Sequence, residues 1–385
     1  MNADLPDAGS FRRELATWLN ANADTLTPPH DGYGTLDEEL AHYKTVKRAL
    51  WDADFGRYGW PESVGGLGGP SMLRAIVGEE IATRALADAS LWTMIEVLAP
   101  TISTFGSGAL VAEMVPPFLR GDELWCQGFS EPGTGSDLAS LACRATPTDG
   151  GWLVNGQKVW TSFAQYSERC VLLTRTGDAE SRHRGITALF IDMDSPGITT
   201  RPIETQHGRP EFAEVFYDDV FVPEERLLGA VDGGWKVAMD ILPYERSTTF
   251  WHRGAVLHGR CAQLVEHVAE SPDRSPTAAQ ALGQAFQSVV AFRSRSRDTQ
   301  YRLAEGGTLG AETSVDKILI ASAEQELLET ARGLLGGTIE FDDGPVAEMW
   351  RVDYLYSKAA TIYGGTGEIQ RNIVANRLLE LGREA

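Results

Sequence analysis

The sequence is short of cysteine and of positive charge and has no long apolar run, and each shortage excludes a class of protein. Four cysteines occur in 385 residues without any CxxC spacing, which favours reduced thiols in the cytoplasm over a disulfide framework. Asp and Glu outnumber Lys and Arg by 54 to 34, and the resulting charge of −20 disfavours nucleic acid as a partner. No apolar run approaches the roughly 18 residues of a membrane span.

The composition is nevertheless that of a folded protein with a large core. Hydrophobic residues make up 43% and charged residues 23%, a balance that excludes wholesale disorder. Residues 1–4 carry neither a basic leader region nor an Arg-rich transit pattern, so we expect a cytoplasmic protein. The histidines lack ligand spacing with cysteines or carboxylates, and the sequence gives no support for a metal site.

Three stretches with different local patterns follow one another along the chain. Apolar residues recur at helical spacing in the first stretch, short β-rich runs fill the second, and long helical patterns return after Trp235. The strongest hairpin signal of the β-rich stretch is Asn155-Gly156, because both residues tolerate positive φ. We therefore predict an α+β protein with a helical domain at 1–122, a β-barrel or sandwich domain at 123–229 and a helical bundle at 230–385.

The first motif is the glycine-containing segment 131–137, EPGTGSD, which follows the apolar run 124–130. Gly133 and Gly135 permit close approach to the backbone, and free amides in such a turn can hold a phosphate. The spacing is not GxGxxG, so it does not indicate a nicotinamide site. Taken alone, this segment is more often an ordinary glycine-rich turn.

The second motif, 155–162 (NGQKVWTS), combines the expected hairpin with an aromatic residue and two hydroxyls. Trp160 can stack on a flat heteroaromatic ring while a hydroxyl of Thr161 or Ser162 donates a hydrogen bond to it. A core tryptophan with hydroxyls at a strand edge is the simpler interpretation of this segment alone.

The third motif, 363–372 (YGGTGEIQRN), places a flexible glycine loop before a helical segment. Loop amides and a helix N-terminus suit an anion or an oxyanion. An ordinary helix with Glu368 in its first turn is the alternative interpretation.

Together and in this order, the three motifs resemble those of the acyl-CoA dehydrogenases, flavoproteins that desaturate acyl-CoA thioesters between Cα and Cβ. The resemblance extends over essentially the whole chain and implies a helical domain, a β-domain and a four-helix bundle. It also implies FAD as cofactor, an electron-transfer flavoprotein as acceptor and a homo- or hetero-oligomer, dimer or tetramer. The residues that match the family's flavin contacts are Gln127, Phe129, Ser130, Gly135, Ser136, Trp160, Ser162, Thr366 and Glu368.

The catalytic base departs from the commonest pattern of that family. Many members carry it directly after the Tyr of the C-terminal loop, but Gly364 occupies this position. A subgroup similar to isovaleryl- and long-chain-type enzymes uses a Glu followed by Arg at the start of the C-terminal domain, which matches Glu245 and Arg246. The resemblance therefore implies Glu245 as the base, with the Gly364 N–H holding the thioester carbonyl and Arg246 beside the base. A helix-surface Glu paired with a neighbouring Arg is the alternative.

A second departure concerns the contacts that a neighbouring subunit makes to FAD. Many members carry an Arg-x-x-Phe-Gly motif after the first C-terminal helix, whereas the matching stretch here, 270–276, lacks it. Gly333 also replaces the usual Gln before the Gly-Gly pair. Either the subunit interface differs, or a related partner subunit supplies the missing groups.

The resemblance thus implies FAD-dependent desaturation of an acyl-CoA thioester. The base position looks most like that of actinobacterial members that act on branched, cyclic or steroid-derived acyl groups. Two alternatives stay open: a flavin-dependent monooxygenase on the same fold, which needs no carboxylate base, and a weakly active subunit of a heteromer.

Overall fold

The computed structural model describes residues 5–30, 32–270 and 275–382. Its first part is helical, and side-chain caps define where several helices begin. Asp7 accepts two backbone amides at the start of the first helix, and Thr35 forms a reciprocal capping box with Glu38 at the third. The helices of this part are α1 (Ala8–Ala21), α2 (Ala23–Leu26), α3 (Leu36–Asp52), α4 (Met72–Thr83), α5 (Ala89–Phe105) and α6 (Gly108–Arg120).

A mixed β-sheet follows the N-terminal helices. Its strands are β1 (Trp125–Gly128), β2 (Arg144–Thr148), β3 (Gly151–Ser162), β4 (Arg169–Arg175), β5 (Ile186–Asp192), β6 (Ile198–Ile203), β7 (Phe212–Pro223) and β8 (Leu227–Leu228). The strand order is β6-β7-β3-β2-β4-β5-β8, and β1 pairs in parallel with β4. One face of β1 to β5 and β7 forms a core of its own, whereas the other face of β4 and β5 packs against helices. The sheet therefore encloses one core and borders another.

The prediction of a hairpin turn at Asn155-Gly156 is wrong. The turn between β2 and β3 lies at Gly150, which has φ +73, and Asn155 and Gly156 lie inside β3 at an irregularity in its pairing with β7. The Asn155 side chain exchanges hydrogen bonds with Asp219 of β7. A Cβ on Gly156 would come within 2.7 Å of Cys143 Cα, so glycine here permits close packing of strands rather than a turn.

Helices return after the sheet and enclose a further core. They are α7 (Gly234–Glu245), α8 (Thr248–Glu270), α9 (Pro276–Ala304), α10 (Thr313–Leu335), α11 (Thr338–Phe341), α12 (Pro345–Ser357) and α13 (Gly367–Ile373). The core lies mainly among α8, α9, α10 and α12, and α10 ends at Gly336, where the glycine pair predicts a stop. Among the described residues, no helix combines the length and apolarity needed to cross a membrane. The α+β class and the helical, sheet, helical order are confirmed.

Helix α7 lies where these three parts meet. Its apolar residues share one core with the N-terminal helices and with β4 and β5. Gly234 approaches β5 so closely that a Cβ there would lie 2.6 Å from the Ala188 nitrogen. Thr101 of α5 donates to Asp240 of α7 at 2.6 Å. Helix α7, which ends at Glu245, is therefore held against β5 at its first residue and against α5 at Asp240.

Candidate active site

Glu245 is the last residue of α7, at a break between this helix and α8. Pro243 has no backbone amide to donate within the last turn, and Arg246 follows as the helix C-cap. The Glu245 side chain is half-buried and that of Arg246 is buried. Burial lowers the pKa of Arg246, and the neighbouring Glu245 carboxylate opposes this shift. The pair therefore does not form an exposed surface ion pair.

The loop after α12 brings Gly364 against Glu245. Gly364 and Gly365 have φ values of +62 and +94, conformations that favour glycine. A Cβ on Gly364 would lie 2.8 Å from Oε1 of Glu245. A side chain at position 364 and the Glu245 carboxylate would therefore compete for the same space. The two positions considered for a base meet at one point of the structure.

Two side chains hold the carbonyl oxygens of this loop. Nε2 of Gln370, on α13, donates to the carbonyls of Gly364 at 3.0 Å and Gly365 at 3.2 Å. Nε of Arg246 donates to the Gly364 carbonyl at 3.4 Å. The Gly364 N–H donates to none of the described residues, so this amide can serve an oxyanion or a polarised carbonyl. Gln370 was not among the predicted site residues, although it belongs to the third motif.

Lys317, also absent from the predicted site, is a buried lysine of α10 beside the same loop. Its Nζ donates to the Ala360 carbonyl at 2.5 Å and lies 3.9 Å from the ring centre of Tyr363. Burial lowers the pKa of Lys317 to about 8, and the Glu245 carboxylate opposes the shift. A signal was present in the sequence, because Lys317 continues the apolar stripe that includes Ile320, where a charged side chain is unusual.

A buried ion pair holds the segment 131–137 against β3. Nζ of Lys158 donates to Oε1 of Glu131 at 2.8 Å and to the Phe129 carbonyl at 3.1 Å. Glu131 also accepts two backbone amides, at 2.7 and 2.9 Å. Both charged residues lie inside the predicted motifs, but neither was assigned a role. The pair fixes the glycine-containing segment beside the strand that carries Trp160.

Exposed and unpartnered groups near this ion pair fit a flat, polar ligand. Trp160 has φ +59, is 57% exposed and packs edge-on against Phe212. Of the buried polar atoms in the described residues that have no hydrogen-bond partner, three belong to residues 127–134 and 161, namely Oε1 of Gln127, Oγ1 of Thr134 and Oγ1 of Thr161. Buried polar atoms in folded proteins are nearly always satisfied. The strip formed by residues 127–136 and 160–162 therefore offers a ring face and unsatisfied polar groups to a bound molecule.

The remaining predicted cofactor contacts differ in exposure. Within the strip, Phe129 is buried, Ser130 and Ser162 are half-buried, and Gly135 and Ser136 are exposed. A Cβ on Gly135 would meet no atom within 4 Å. Elsewhere, Thr366 caps α13 by accepting the Ile369 amide at 3.3 Å, and Glu368 borders a cleft of about 260 Å³ between α10 and α13.

Glu211 is a buried residue that is hydrogen-bonded to the chain just after β3 and acts electrostatically on Tyr363, the residue before Gly364. Its carbonyl accepts the amide of Phe163, directly after β3, at 2.5 Å. Burial raises the pKa of Glu211 to about 7, and the Asp88 carboxylate adds to this shift. Burial likewise raises the pKa of Tyr363, and Glu245 and Glu211 both contribute to that increase. The carboxylates of Glu211 and Glu245 therefore both act electrostatically on Tyr363.

The stretch that lacks the Arg-x-x-Phe-Gly motif lies partly outside the described residues, because 271–274 are not described. Ser275 caps α9 by accepting the Ala278 amide at 3.1 Å. Gly333 lies exposed on α10, and a Cβ there would meet no atom within 4 Å. Position 333 thus offers no side chain to a cofactor in a neighbouring subunit.

Comparison with known proteins finds relatives along the whole chain. Family models for the N-terminal, middle and C-terminal domains of acyl-CoA dehydrogenase match residues 13–122, 126–220 and 232–379. The acyl-CoA dehydrogenase IpdE1 of Mycobacterium tuberculosis is 36% identical over 392 residues, which cover 99% of this chain and 100% of the relative. The IpdE1 protein of Mycolicibacterium smegmatis is 34% identical and covers 97% of this chain and 98% of the relative.

Solved structures show the same architecture. The ChsE4-ChsE5 complex from Mycobacterium tuberculosis superposes with a TM-score of 0.83 at 25% identity, over 99% of this chain and 99% of that chain. A structure described as the Tcur3481-Tcur3483 steroid ACAD gives a TM-score of 0.84 at 22% identity over the full length of both chains. This second likeness concerns the fold.

Proposed function

The chain belongs to the acyl-CoA dehydrogenase family, and we propose that it desaturates an acyl-CoA thioester with Glu245 as the base. The observation that carries this proposal is the meeting of Glu245 and Gly364, since a Cβ at position 364 would lie 2.8 Å from Oε1 of Glu245. A carboxylate on α7 thereby reaches the place that a side chain of the loop would otherwise fill.

The residues of the chain align the thioester and accept one proton. The Gly364 N–H holds the thioester carbonyl and stabilises the negative charge that develops on its oxygen. The Glu245 carboxylate accepts the Cα proton as the Cα–H bond breaks. Arg246 and Gln370 hold the Gly364 carbonyl and so orient the peptide unit of the loop. FAD, when bound, supplies the acceptor for the hydride that leaves Cβ, which completes the Cα=Cβ double bond.

We propose that FAD binds along the strip formed by 127–136 and 160–162. The exposed ring of Trp160 would face the flavin ring, with the hydroxyls of Ser130 and Ser162 at the ring edge. Gly135 and Ser136 would contact the pyrophosphate, and Thr366 and Glu368 the adenosine half. The unpartnered buried atoms on this strip support the fit, because a polar cofactor would satisfy them.

The substrate is proposed to carry a branched, cyclic or steroid-derived acyl group, and the electrons are proposed to leave to an electron-transfer flavoprotein. The position of the proposed base on α7 supports this substrate class. A panel of linear, branched and polycyclic acyl-CoAs, compared by the rate of flavin reduction, tests the substrate class directly.

The decisive experiment measures anaerobic bleaching of the flavin by acyl-CoA in the purified, FAD-loaded protein. Glu245→Gln is expected to retain FAD but to lose on the order of a hundredfold or more in the rate of reduction, because an amide cannot accept the proton. Glu266→Gln, an exposed carboxylate of α8, is the matched control and should reduce as the wild type does. Reduction of Glu245→Gln at the wild-type rate would contradict the assignment. Oxygen-dependent hydroxylation without desaturation would point to the monooxygenase alternative.

A second arrangement, in which this chain is one subunit of a heteromer, is supported by Gly333 and by the ChsE4-ChsE5 complex among its structural relatives. The visible spectrum of the chain purified alone distinguishes the two arrangements. Yellow protein that acyl-CoA bleaches indicates a self-sufficient enzyme. Colourless protein that retains FAD only after a related subunit is added indicates a heteromer.

A further inference from the structure

A lysine with neutral immediate partners is buried beside the proposed base. Lys317 is 1% exposed, and its ammonium forms no ion pair with the described residues. Its neighbours are the carbonyl of Ala360, which accepts from Nζ at 2.5 Å, and the ring of Tyr363, 3.9 Å from Nζ. Burying an ammonium group is costly unless a charge of opposite sign is close enough to compensate. A carboxylate in the surroundings of Lys317 would therefore favour its ammonium form.

The glycine loop shows where that carboxylate lies. A Cβ placed on Gly364 would be 3.7 Å from Cε of Lys317 and 2.8 Å from Oε1 of Glu245. The end of the lysine side chain and the Glu245 carboxylate are thus both close to the point where a Cβ of residue 364 would lie.

Other charged groups around Lys317 come from several elements. Glu324, one turn further along α10, favours the ammonium form, but it is already paired with Arg253 of α8 at 2.6 Å. Arg246 of α7 opposes the ammonium form. Glu368 and Arg371 of α13 share the neighbouring cleft and carry opposite charges. After these pairings, Glu245 is the carboxylate that acts most strongly on Lys317.

We propose that Lys317 is a positioning residue whose ammonium group keeps the Glu245 carboxylate ionised when bound acyl-CoA excludes water from it. This inference rests on the proposed function. Desolvation by the substrate favours the neutral carboxylic acid, which cannot accept a proton, and a nearby cation favours the carboxylate. The hydrogen bond from Nζ to the Ala360 carbonyl holds the ammonium group close to Gly364, which follows Ala360 by four residues.

The pH dependence of the reduction rate follows from the signs of these charges. Without the cation, Glu245 stays protonated to a higher pH, so the acid limb of the profile moves upward. Burial lowers the Lys317 pKa to about 8, so the ammonium is present throughout the acid limb of the wild-type profile.

The test measures the rate constant of anaerobic flavin reduction by a saturating acyl-CoA between about pH 5 and about pH 9. Lys317→Met should move the acid limb to a higher pH by about one pH unit or more. At pH values below that limb, the rate constant of reduction should then be about tenfold lower than in the wild type. Lys317→Arg keeps a cation across the whole range, so its acid limb should match that of the wild type. Lys236→Met, an exposed lysine of α7, is the matched control.

Each outcome supports or overturns the inference. An upward shift in Lys317→Met together with a normal acid limb in Lys317→Arg supports it. Equal loss of rate in both variants with unshifted limbs shows a purely structural lysine and overturns it. If Lys317→Met does not fold, an acid limb that moves upward in Lys317→Arg, which keeps the cation, overturns it instead. A wild type that no acyl-CoA reduces, or a Glu245→Gln that reduces normally, refutes the proposed function itself.

Discussion

Replacing Lys158 should destabilise the protein and weaken its hold on flavin at the same time. Lys158 and Glu131 are paired at 2.8 Å, and their side chains are 0% and 8% exposed. In Lys158→Met the Glu131 carboxylate keeps its two amide donors, but its negative charge stays buried without a cation. Breaking one partner of such a pair costs about 3–5 kcal/mol. Because two amides remain, we expect a loss near the lower end, about 3 kcal/mol.

The assay is urea unfolding followed by circular dichroism, with FAD retention measured by fluorescence of the released cofactor. Lys236→Met removes an exposed lysine and should change the free energy of unfolding by no more than about 0.5 kcal/mol. The double variant Lys158→Met with Glu131→Gln removes both charges, but its single side-chain oxygen can accept only one of the two amides, which donate to different oxygens of Glu131. It should recover part of the lost stability, the part that comes from the unpaired charge.

Flavin retention reports on a different consequence of the same change. The ion pair ties the segment 131–137 to the strand that carries Trp160, so its loss should loosen the proposed pyrophosphate and ring contacts together. Lys158→Met is expected to release FAD at a lower urea concentration than the control does. An unfolding free energy within about 1 kcal/mol of the wild type would refute the reasoning, as would a double variant no more stable than the single one.

Two further substitutions test close approaches at glycine. Gly364→Ala should slow flavin reduction by about tenfold or more, because its Cβ would displace Glu245 Oε1 from a position 2.8 Å away and even small misplacements are costly; stopped-flow reduction at the wild-type rate would contradict this. Gly78→Ala should lower stability by about 1–3 kcal/mol, since its Cβ would lie 1.8 Å from Nε2 of the buried His252; thermal unfolding measures the loss, and an unchanged midpoint would argue against this packing. Gly259→Ala serves as the control for both, because a Cβ there meets no atom within 4 Å.

The order of helical and β-rich parts could be predicted because it depends on local periodicity. Helix caps, glycine stops and alternating strands are all signals carried by residues close together in the sequence. The turn between β2 and β3 shows the limit of such signals. Asp149-Gly150 and Asn155-Gly156 are both favourable turn pairs, and only the first forms one, because β3 continues past Asn155 to pair with β7.

Residues of the candidate site were harder to predict where they depend on contacts distant in sequence. Glu245 and Gly364 were identified through the resemblance to a family, and their contact spans most of the C-terminal part of the chain. Lys158 and Lys317 were not identified, because a lysine is usually exposed; for Lys317 the apolar stripe that it continues was a local signal of burial. Their partners, Glu131 and Ala360, lie 27 and 43 residues away.

The position of the proposed base on α7 would separate two tasks that a side chain at position 364 would combine. With Glu245 as proton acceptor, residue 364 must be glycine, because a Cβ there would touch the carboxylate. The loop keeps only its free amide for the thioester carbonyl, and its own carbonyl is held from α7 by Arg246 at 3.4 Å. Because Arg246 follows the base directly, one helix end places the proton acceptor and orients the peptide unit opposite it. A displacement of α7 would therefore move the Glu245 carboxylate and the Arg246 guanidinium together. The hydrogen bond from Thr101 and the packing of Gly234 against β5 limit such a displacement.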